Sequence, residues 1–382
     1  MGIDDFPYFL TREHADLRAE MRRVARESLA PIARNGRPGR VNRELLKELG
    51  SGGVLPRIFP ETLGGAAPAE VSAVTLCLLR EGLAGGSTAA ETALALQGLG
   101  SYPILQSGGA ELQSRWIPAV ASGTAVAAFA LTEARAGTDA GALELRAERV
   151  EGGHRLTGQK KWISNAPDAD VYSIFARTSE EGGTRGITAF VLPGDADGVS
   201  GESLDLLAPH VVGTLELDGV FVPDDHVLGE VGDGFRVAMR TLDLFRPSVG
   251  AFAVGMAQSA LDAAVAHAEQ RHSFGKALRD HQAVSHQLAE AAARTQAARL
   301  LVYDAAARYD AGERVTKASA MAKLYATEAA QFVIDAALQI HGAQGLEEGH
   351  LLADLYREVR ATRIYEGTSE IQREIIAREL YR

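Results

Sequence analysis

The chain has 382 residues, a formal net charge of −11 and one cysteine. That acidity argues against nucleic acid as a general partner, and a lone cysteine excludes an internal disulfide and any cysteine-built metal site. Apolar residues make up 46 % and charged residues 23 %, an ordinary globular balance long enough for two or three domains.

Helical spacing begins near the start. Thr11 can cap a helix over 11–33, in which Leu17, Met21, Val24, Ala25 and Leu29 keep one face. Gly36-Arg37-Pro38-Gly39 breaks the pattern. Further helices are expected over 43–49, 69–83, 88–99 and 110–121, so residues 1–122 read as an all-α block. Cys77 lies in an apolar run and reads as a buried structural thiol. From about Thr124 the period falls to two. Short strands over 126–131 and around Leu143, Leu145 and Ala147, then 155–163, 171–178, 186–192 and 214–222, describe an antiparallel β domain of barrel or sandwich type at 123–228. Helices return over 234–270, 282–309, 316–341, 349–360 and 369–381, a four-helix-bundle type of domain at 229–382. Pro247 is expected to kink the first of them. The fold class is therefore α+β and multi-domain, in the order α, β, α. The opening residues lack the basic and apolar regions of a secretory signal. No apolar run approaches the roughly 20 residues that cross a bilayer, so a cytoplasmic protein without membrane insertion is expected.

One stretch near the end stands out: Arg363-Ile364-Tyr365-Glu366-Gly367-Thr368-Ser369-Glu370-Ile371-Gln372-Arg373. Ser369 reads as a helix N-cap, with Gln372 completing a capping box. Glu366 then lies on a short turn between two helices. Alone it is as readily a solvated loop carboxylate. Four other segments bear on it. Phe129-Ala130-Leu131-Thr132-Glu133 leads to Gly137-Thr138, where small residues permit close backbone approach to a planar ring or a diphosphate. Gly158-Gln159-Lys160-Lys161-Trp162-Ile163-Ser164-Asn165 offers a flat ring and a hydroxyl, although Trp162 alone could be plain core. Arg271-His272-Ser273-Phe274-Gly275-Lys276, followed by His281-Gln282, holds a cation suited to a diphosphate, or else a solvated helix end with Glu269. Gln339-Ile340-His341-Gly342-Ala343-Gln344-Gly345 is the last; no catalytic partner is visible for His341.

In this order the five segments resemble the acyl-CoA dehydrogenase family of flavoproteins, over nearly the whole chain. The resemblance implies a fold of N-terminal helices, middle β domain and C-terminal helical bundle, with FAD as cofactor and no metal. It implies that Phe129, Leu131, Thr132, Trp162, Ile163 and Ser164 line the flavin ring, and that Gly137 and Thr138 reach the pyrophosphate side. It places Arg271, Phe274 and Gln282 on FAD across a subunit boundary, which makes a homodimer the smallest complete unit and a homotetramer the expected assembly. It gives Gln339, Gly342 and Ala343 the adenine side, and Thr368 and Glu370 further flavin contacts. Ala343 stands where the family commonly has a second glycine.

By the same resemblance Glu366 is the base that removes the α-proton of an acyl-CoA thioester, giving the trans-2-enoyl thioester. Its backbone N–H helps hold the thioester oxygen. Thr138, Asp243, Arg246, Glu366 and Gly367 are the expected substrate-side residues, and an electron-transfer flavoprotein the expected electron acceptor, in fatty acid metabolism. Residues 206–214 depart from the family's Gly-x-Arg-x-Ser pattern. Two alternatives stay open: an acyl-CoA oxidase, or a dehydrogenase of an atypical acyl group, branched, cyclic or carrier-bound. A non-catalytic flavin-binding assembly protein is the reading from a different class.

Overall fold

The computed structural model describes residues 10–69, 71–180 and 182–381. Helices α1 (Arg12–Val24), α2 (Ala30–Arg34), α3 (Arg43–Ser51), α4 (Ala73–Ala84), α5 (Thr88–Ser107) and α6 (Ala110–Ala121) come first, with a π-helical turn at Ala25–Leu29. Strands follow: β1 (Ala127–Ala130), β2 (Arg146–Val150), β3 (Gly153–Ser164), β4 (Val171–Arg177), β5 (Ile187–Pro193), β6 (Val199–Ser200), β7 (Ser203–Leu204), β8 (Val212–Pro223) and β9 (Val227–Leu228). Then come α7 (Gly234–Gln270), the small hairpin β10 (His272–Ser273) and β11 (Lys276–Ala277), α8 (Gln282–Asp310), α9 (Thr316–His341), α10 (Leu351–Thr362) and α11 (Ser369–Glu379).

Thr11 caps α1 as expected. Its hydroxyl accepts from the His14 N–H, and His14 Nδ1 accepts from the Thr11 N–H. α6, α7 and α9 begin and end where their spacing predicts. α4 starts later than expected because Ser72 is its cap, accepting from the Thr75 N–H. α5 runs on to Ser107, through Gly98, Gly100 and Pro103. Gly100 is there for close packing, since a Cβ would sit 2.5 Å from the Ala128 nitrogen on β1. α7 likewise continues as helix through Pro247.

The chain forms two compact units. The described residues of the first, 10–30, 72–91 and 243–381, are mostly helical. Its helices approach closely through small residues: a Cβ on Gly255 of α7 would meet the Glu81 carbonyl of α4 at 2.5 Å. Buried Glu81 accepts hydrogen bonds from Arg18 (2.9 Å), Arg299 (3.0 Å) and the Tyr303 hydroxyl (2.8 Å), tying α1, α4 and α8 together. Cys77 is fully buried and burial pushes its thiol well up, which makes it the inert core residue expected.

The second unit comprises Pro31–Val71 and Thr92–Leu242 and carries the sheet. The strand order is β6-β8-β3-β2-β4-β5-β9, with β1 on β4 and β7 on β8. Most pairings are antiparallel, as expected, but β1 and β2 each pair β4 in parallel. β4 and β5 are apolar and buried at nearly every position, the mark of strands covered on both faces. Each large side chain buried there, such as Phe175 or Phe190, contributes about 1.5–3 kcal/mol.

The expectation about membrane spans needs one correction. α7 is long and apolar enough to cross a bilayer by length and composition, but 72 % of its most apolar window is buried inside the protein. Those side chains belong to a protein core.

Candidate active site

In the second unit, the loop after β1 is built around one buried ion pair. Lys160 of β3 is fully buried and donates to the Leu131 carbonyl (3.0 Å) and to Glu133 (2.7 Å). Glu133 in turn accepts from the Glu144 and Leu145 N–H groups. Burial lowers the Lys160 ammonium to about 8, against the pull of Glu133. The Lys161 N–H donates to the Thr132 carbonyl (3.1 Å). Together these contacts fix the backbone from Leu131 to Ala136, and so place Thr132, Gly137 and Thr138.

Of the ring-side residues, Phe129 and Thr132 are half-buried and Leu131 is buried. Phe129 packs on Phe175, with ring centroids 4.9 Å apart. Gly137 and Thr138 are exposed, and a Cβ on Gly137 would meet nothing closer than Thr132 Cγ2 at 3.8 Å. Trp162 is the extra residue of a bulge between Lys161 and Ile163, with φ +57. That conformation turns its ring out, 46 % exposed, and rules out the plain-core reading. Ser164 is half-buried beside it in sequence, whereas Ile163 points into the core at 1 % exposure. Ile163 can therefore meet a ligand only through its backbone.

In the first unit, the β10–β11 hairpin carries Phe274 and Gly275 at its tip, both in the left-handed region at φ +51 and +80. Phe274 is 96 % exposed. Glu269 pairs with Arg279 (2.6 Å) and not with Arg271. The exposed Arg271 guanidinium has no ion-pair partner among the described residues. Gln282 is exposed as the first residue of α8, and Gln339 is exposed near the end of α9. Gly342, with φ +61 and ψ −141, turns the chain out of α9 and leaves Ala343 exposed. His341 stacks on His267 at 4.1 Å and lies edge-on to His350; it is a packing residue.

Around Glu366 the cap of the following helix lies one residue earlier than its sequence suggests. Thr368, not Ser369, is the N-cap of α11, accepting from the Ile371 N–H. Ser369 is buried and donates to Glu328 (2.7 Å). Gln372 reaches back, but to carbonyls: its Nε2 donates to Glu366 O (3.1 Å) and Gly367 O (3.0 Å). Lys323 donates to Gly367 O (2.8 Å) and Arg246 to Glu366 O (3.3 Å). Asp243 lies 3.7 Å from Arg246. Three donors therefore hold two consecutive carbonyls, which fixes Glu366 at φ +52 and Gly367 at φ +92. A non-glycine residue there costs about 1–3 kcal/mol and persists only when its surroundings over-determine it. Glu370 is exposed in the first turn of α11.

The Glu366 carboxyl itself is left unpaired. Its residue surface is partly open, but Oε2 is shut from solvent with no hydrogen-bond partner among the described residues. Burial pushes its pKa up from 4.5, against the opposing pull of Arg80, Lys323 and Arg246. Lys323 is fully buried and burial brings its ammonium down to about 8. Sequence reasoning assigns no site role to Lys160, Glu133, Arg80, Glu91 or Lys323. A lysine in a helical pattern looks solvated, and of these five only Lys160 and Glu133 lie within the segments that carry the family resemblance.

These features fit a flavin. Within the second unit, an outward Trp162 ring, an open Gly137-Thr138 backbone and half-buried Thr132 and Ser164 hydroxyls suit a planar polar ring system. Within the first, an unpaired arginine and an unpaired buried carboxyl oxygen suit a diphosphate and a proton donor.

Family models for acyl-CoA dehydrogenase match the chain in three parts: the N-terminal domain over residues 11–124, the middle domain over 128–218 and the C-terminal domain over 232–381. A cyclohexane-1-carbonyl-CoA dehydrogenase of Geobacter metallireducens is 36 % identical over 377 residues, covering 97 % of this chain and 98 % of that protein. A 3-(aryl)acrylate reductase of Clostridium sporogenes is 36 % identical over 97 % of this chain and 99 % of its own. The solved butyryl-CoA dehydrogenase of Megasphaera elsdenii superposes with a TM-score of 0.92 at 34 % identity, over 99 % of this chain and 100 % of that one. The α, β, α order, the shaped turn at Glu366 and these likenesses agree: the chain belongs to the acyl-CoA dehydrogenase family, flavoprotein oxidoreductases that use FAD and act on CH–CH groups.

Proposed function

We propose that this protein dehydrogenates an acyl-CoA thioester between its α and β carbons, with Glu366 as the base. The observation that carries the reading is the buried, unpartnered Glu366 Oε2 on a turn held by Arg246, Lys323 and Gln372. A carboxylate removed from water is a stronger base, and one without an internal partner is free to take a proton from carbon. The Glu366 N–H supports the thioester oxygen as charge develops on it. When bound, FAD supplies the acceptor for the β-hydrogen. Phe129, Leu131, Thr132, Trp162, the Ile163 backbone and Ser164 serve its ring, and Gly137 and Thr138 its phosphate side. Arg271, Phe274 and Gln282, with Gln339, Gly342 and Ala343, serve the dinucleotide from a second copy of the chain. Thr368 and Glu370 add contacts at the start of α11. Thr138, Asp243, Arg246 and Gly367 complete the substrate side.

The reduced enzyme passes its electrons to an electron-transfer flavoprotein, in a homodimer or homotetramer of the cytoplasm. The division at residues 122 and 228 marks the three domains. The test is anaerobic addition of a panel of acyl-CoA thioesters to the flavin-loaded protein. At least one should bleach the flavin and yield its trans-2-enoyl thioester. A flavin-loaded protein that none of them reduces would refute the assignment, and peroxide formed at full turnover rate in air would make it an oxidase.

A further inference from the structure

A buried cation behind Glu366 remains unexplained by proton abstraction alone. Arg80 of α4 is 3 % exposed and Glu91 of α5 is fully buried. Arg80 Nε donates to Glu91, and Nη1 donates to Ser248 Oγ at 2.6 Å. The guanidinium also lies over the Phe252 ring, 5.8 Å from its centroid. Ser248 and Arg246 share one turn of α7, and Arg246 holds the Glu366 carbonyl. That single turn therefore links Arg80 to the base. Burying an ion pair gains little over apolar residues of similar volume, so stability does not account for this one.

The pair also leaves donors over. Arg80 Nη2 has no hydrogen-bond partner among the described residues, nor has the hydroxyl of half-buried Tyr365, which precedes the base. Burial, and after it Glu91, push the Tyr365 phenol well above its usual range, so it stays a neutral donor. Burial works against the Arg80 charge, but Glu91 and then Glu366 outweigh it, so the guanidinium stays charged. Neither Arg80 Nη2 nor the Tyr365 hydroxyl is among the side-chain atoms shut from solvent without a partner, so both donors stay open to a ligand acceptor.

We propose that Arg80 and Tyr365 form a recognition site for a neutral oxygen, hydroxyl or carbonyl, carried by the acyl group beyond its thioester. The proposal deepens the dehydrogenation reading, because it places the acyl group alongside Glu366. The acceptor is neutral for a reason of charge. Three cations, Arg80, Arg246 and Lys323, already face three carboxylates, Glu91, Glu366 and Asp243, so no positive charge is left over for a further anion. A dicarboxylic acyl group would bring like charges together; a ketone or an alcohol takes the free N–H and O–H without that cost.

The test uses binding, so that it does not depend on turnover. Three trans-2-enoyl-CoA thioesters of equal length, which have already lost the hydrogens in question, are titrated into the flavin-loaded protein by calorimetry. One carries a plain alkyl end, one a hydroxyl or ketone on a distal carbon, and one a carboxylate. The oxygenated ligand should bind about tenfold or more tightly than the alkyl one. Tyr365→Phe, which removes one hydroxyl from an otherwise unchanged core, should lower that preference several-fold. Arg80→Met should abolish it while leaving alkyl binding equal or tighter. Equal binding of the alkyl and oxygenated ligands by wild-type protein, or tightest binding of the carboxylate, overturns the proposal. A protein that shows the binding preference but whose flavin no acyl-CoA bleaches upholds the recognition site and refutes the dehydrogenation reading.

Discussion

Among the described residues, four non-glycine residues adopt positive φ: Trp162, Asn165, Phe274 and Glu366. Trp162, Phe274 and Glu366 are also residues to which the family resemblance gives a role in the site. At each of these positions the left-handed backbone presents a side chain that regular backbone would turn elsewhere. Glu366→Gln keeps the shape and removes the proposed base. It should retain bound flavin, seen in its visible absorbance, and lose on the order of 10³-fold in the rate of flavin reduction. The pH dependence follows from the direction of the shift. Burial raises the Glu366 pKa above 4.5 in the folded protein, so folding favours the protonated form. That contribution to stability is present below the unfolded pKa and is lost as pH rises through the folded one. As the proposed base, Glu366 must be in the other form to take a proton. Stopped-flow flavin reduction should therefore rise with pH through an apparent pKa higher than that of an ordinary glutamate. An unshifted midpoint would count against burial as the tuning force. Lys323→Met should slow flavin reduction about 10-fold or more, by freeing the Gly367 carbonyl, with little loss of bound flavin. A variant with unchanged rates would show that Arg246 and Gln372 suffice.

At the level of elements, helix ends and strand positions are largely legible from periodicity. α6, α7 and α9 match it residue for residue, since amphipathic spacing and breakers act locally. α5 does not, because Gly98, Gly100 and Pro103 look like stops. The backbone packed at Gly100 explains why a glycine lies inside that helix. Gly100→Ala would force a Cβ to within 2.5 Å of the Ala128 nitrogen and 2.7 Å of the Ala127 carbonyl carbon. It should destabilise the protein by about 2–4 kcal/mol, seen as a lower midpoint in urea unfolding. The N-cap of α11 departs from its local pattern for a related reason. Thr368 and Ser369 are equally good caps in isolation, and Glu328 takes the Ser369 hydroxyl.

For the whole molecule, the acidic composition and lone cysteine constrain partners more than they define them. The exposed Phe274 ring and the unpaired Arg271 lie on one hairpin and its approach, and the family resemblance assigns both to a second copy of the chain. An aromatic side chain left 96 % exposed at a rigid turn is a natural anchor. Phe274→Ser should weaken self-association in sedimentation velocity and lower the flavin retained on gel filtration. If assembly and flavin content both stay unchanged, that hairpin contributes nothing across a subunit boundary.

The amino-acid sequence alone determined the order of α, β and α blocks, the five segments that carry the family resemblance, and Glu366 as the base to test. These are local patterns of period, breaker and motif, readable wherever neighbours in the chain are also neighbours in space. Only the tertiary structure decided that Trp162 faces outward, that Ile163 does not, and that Lys323, Arg246 and Gln372 converge on two carbonyls. It alone revealed Arg80 and Glu91 behind the base. The physical reason is burial. A lysine or arginine in a helix reads as solvated until distant chain segments close over it, and only then do desolvation and its few remaining partners determine what it does.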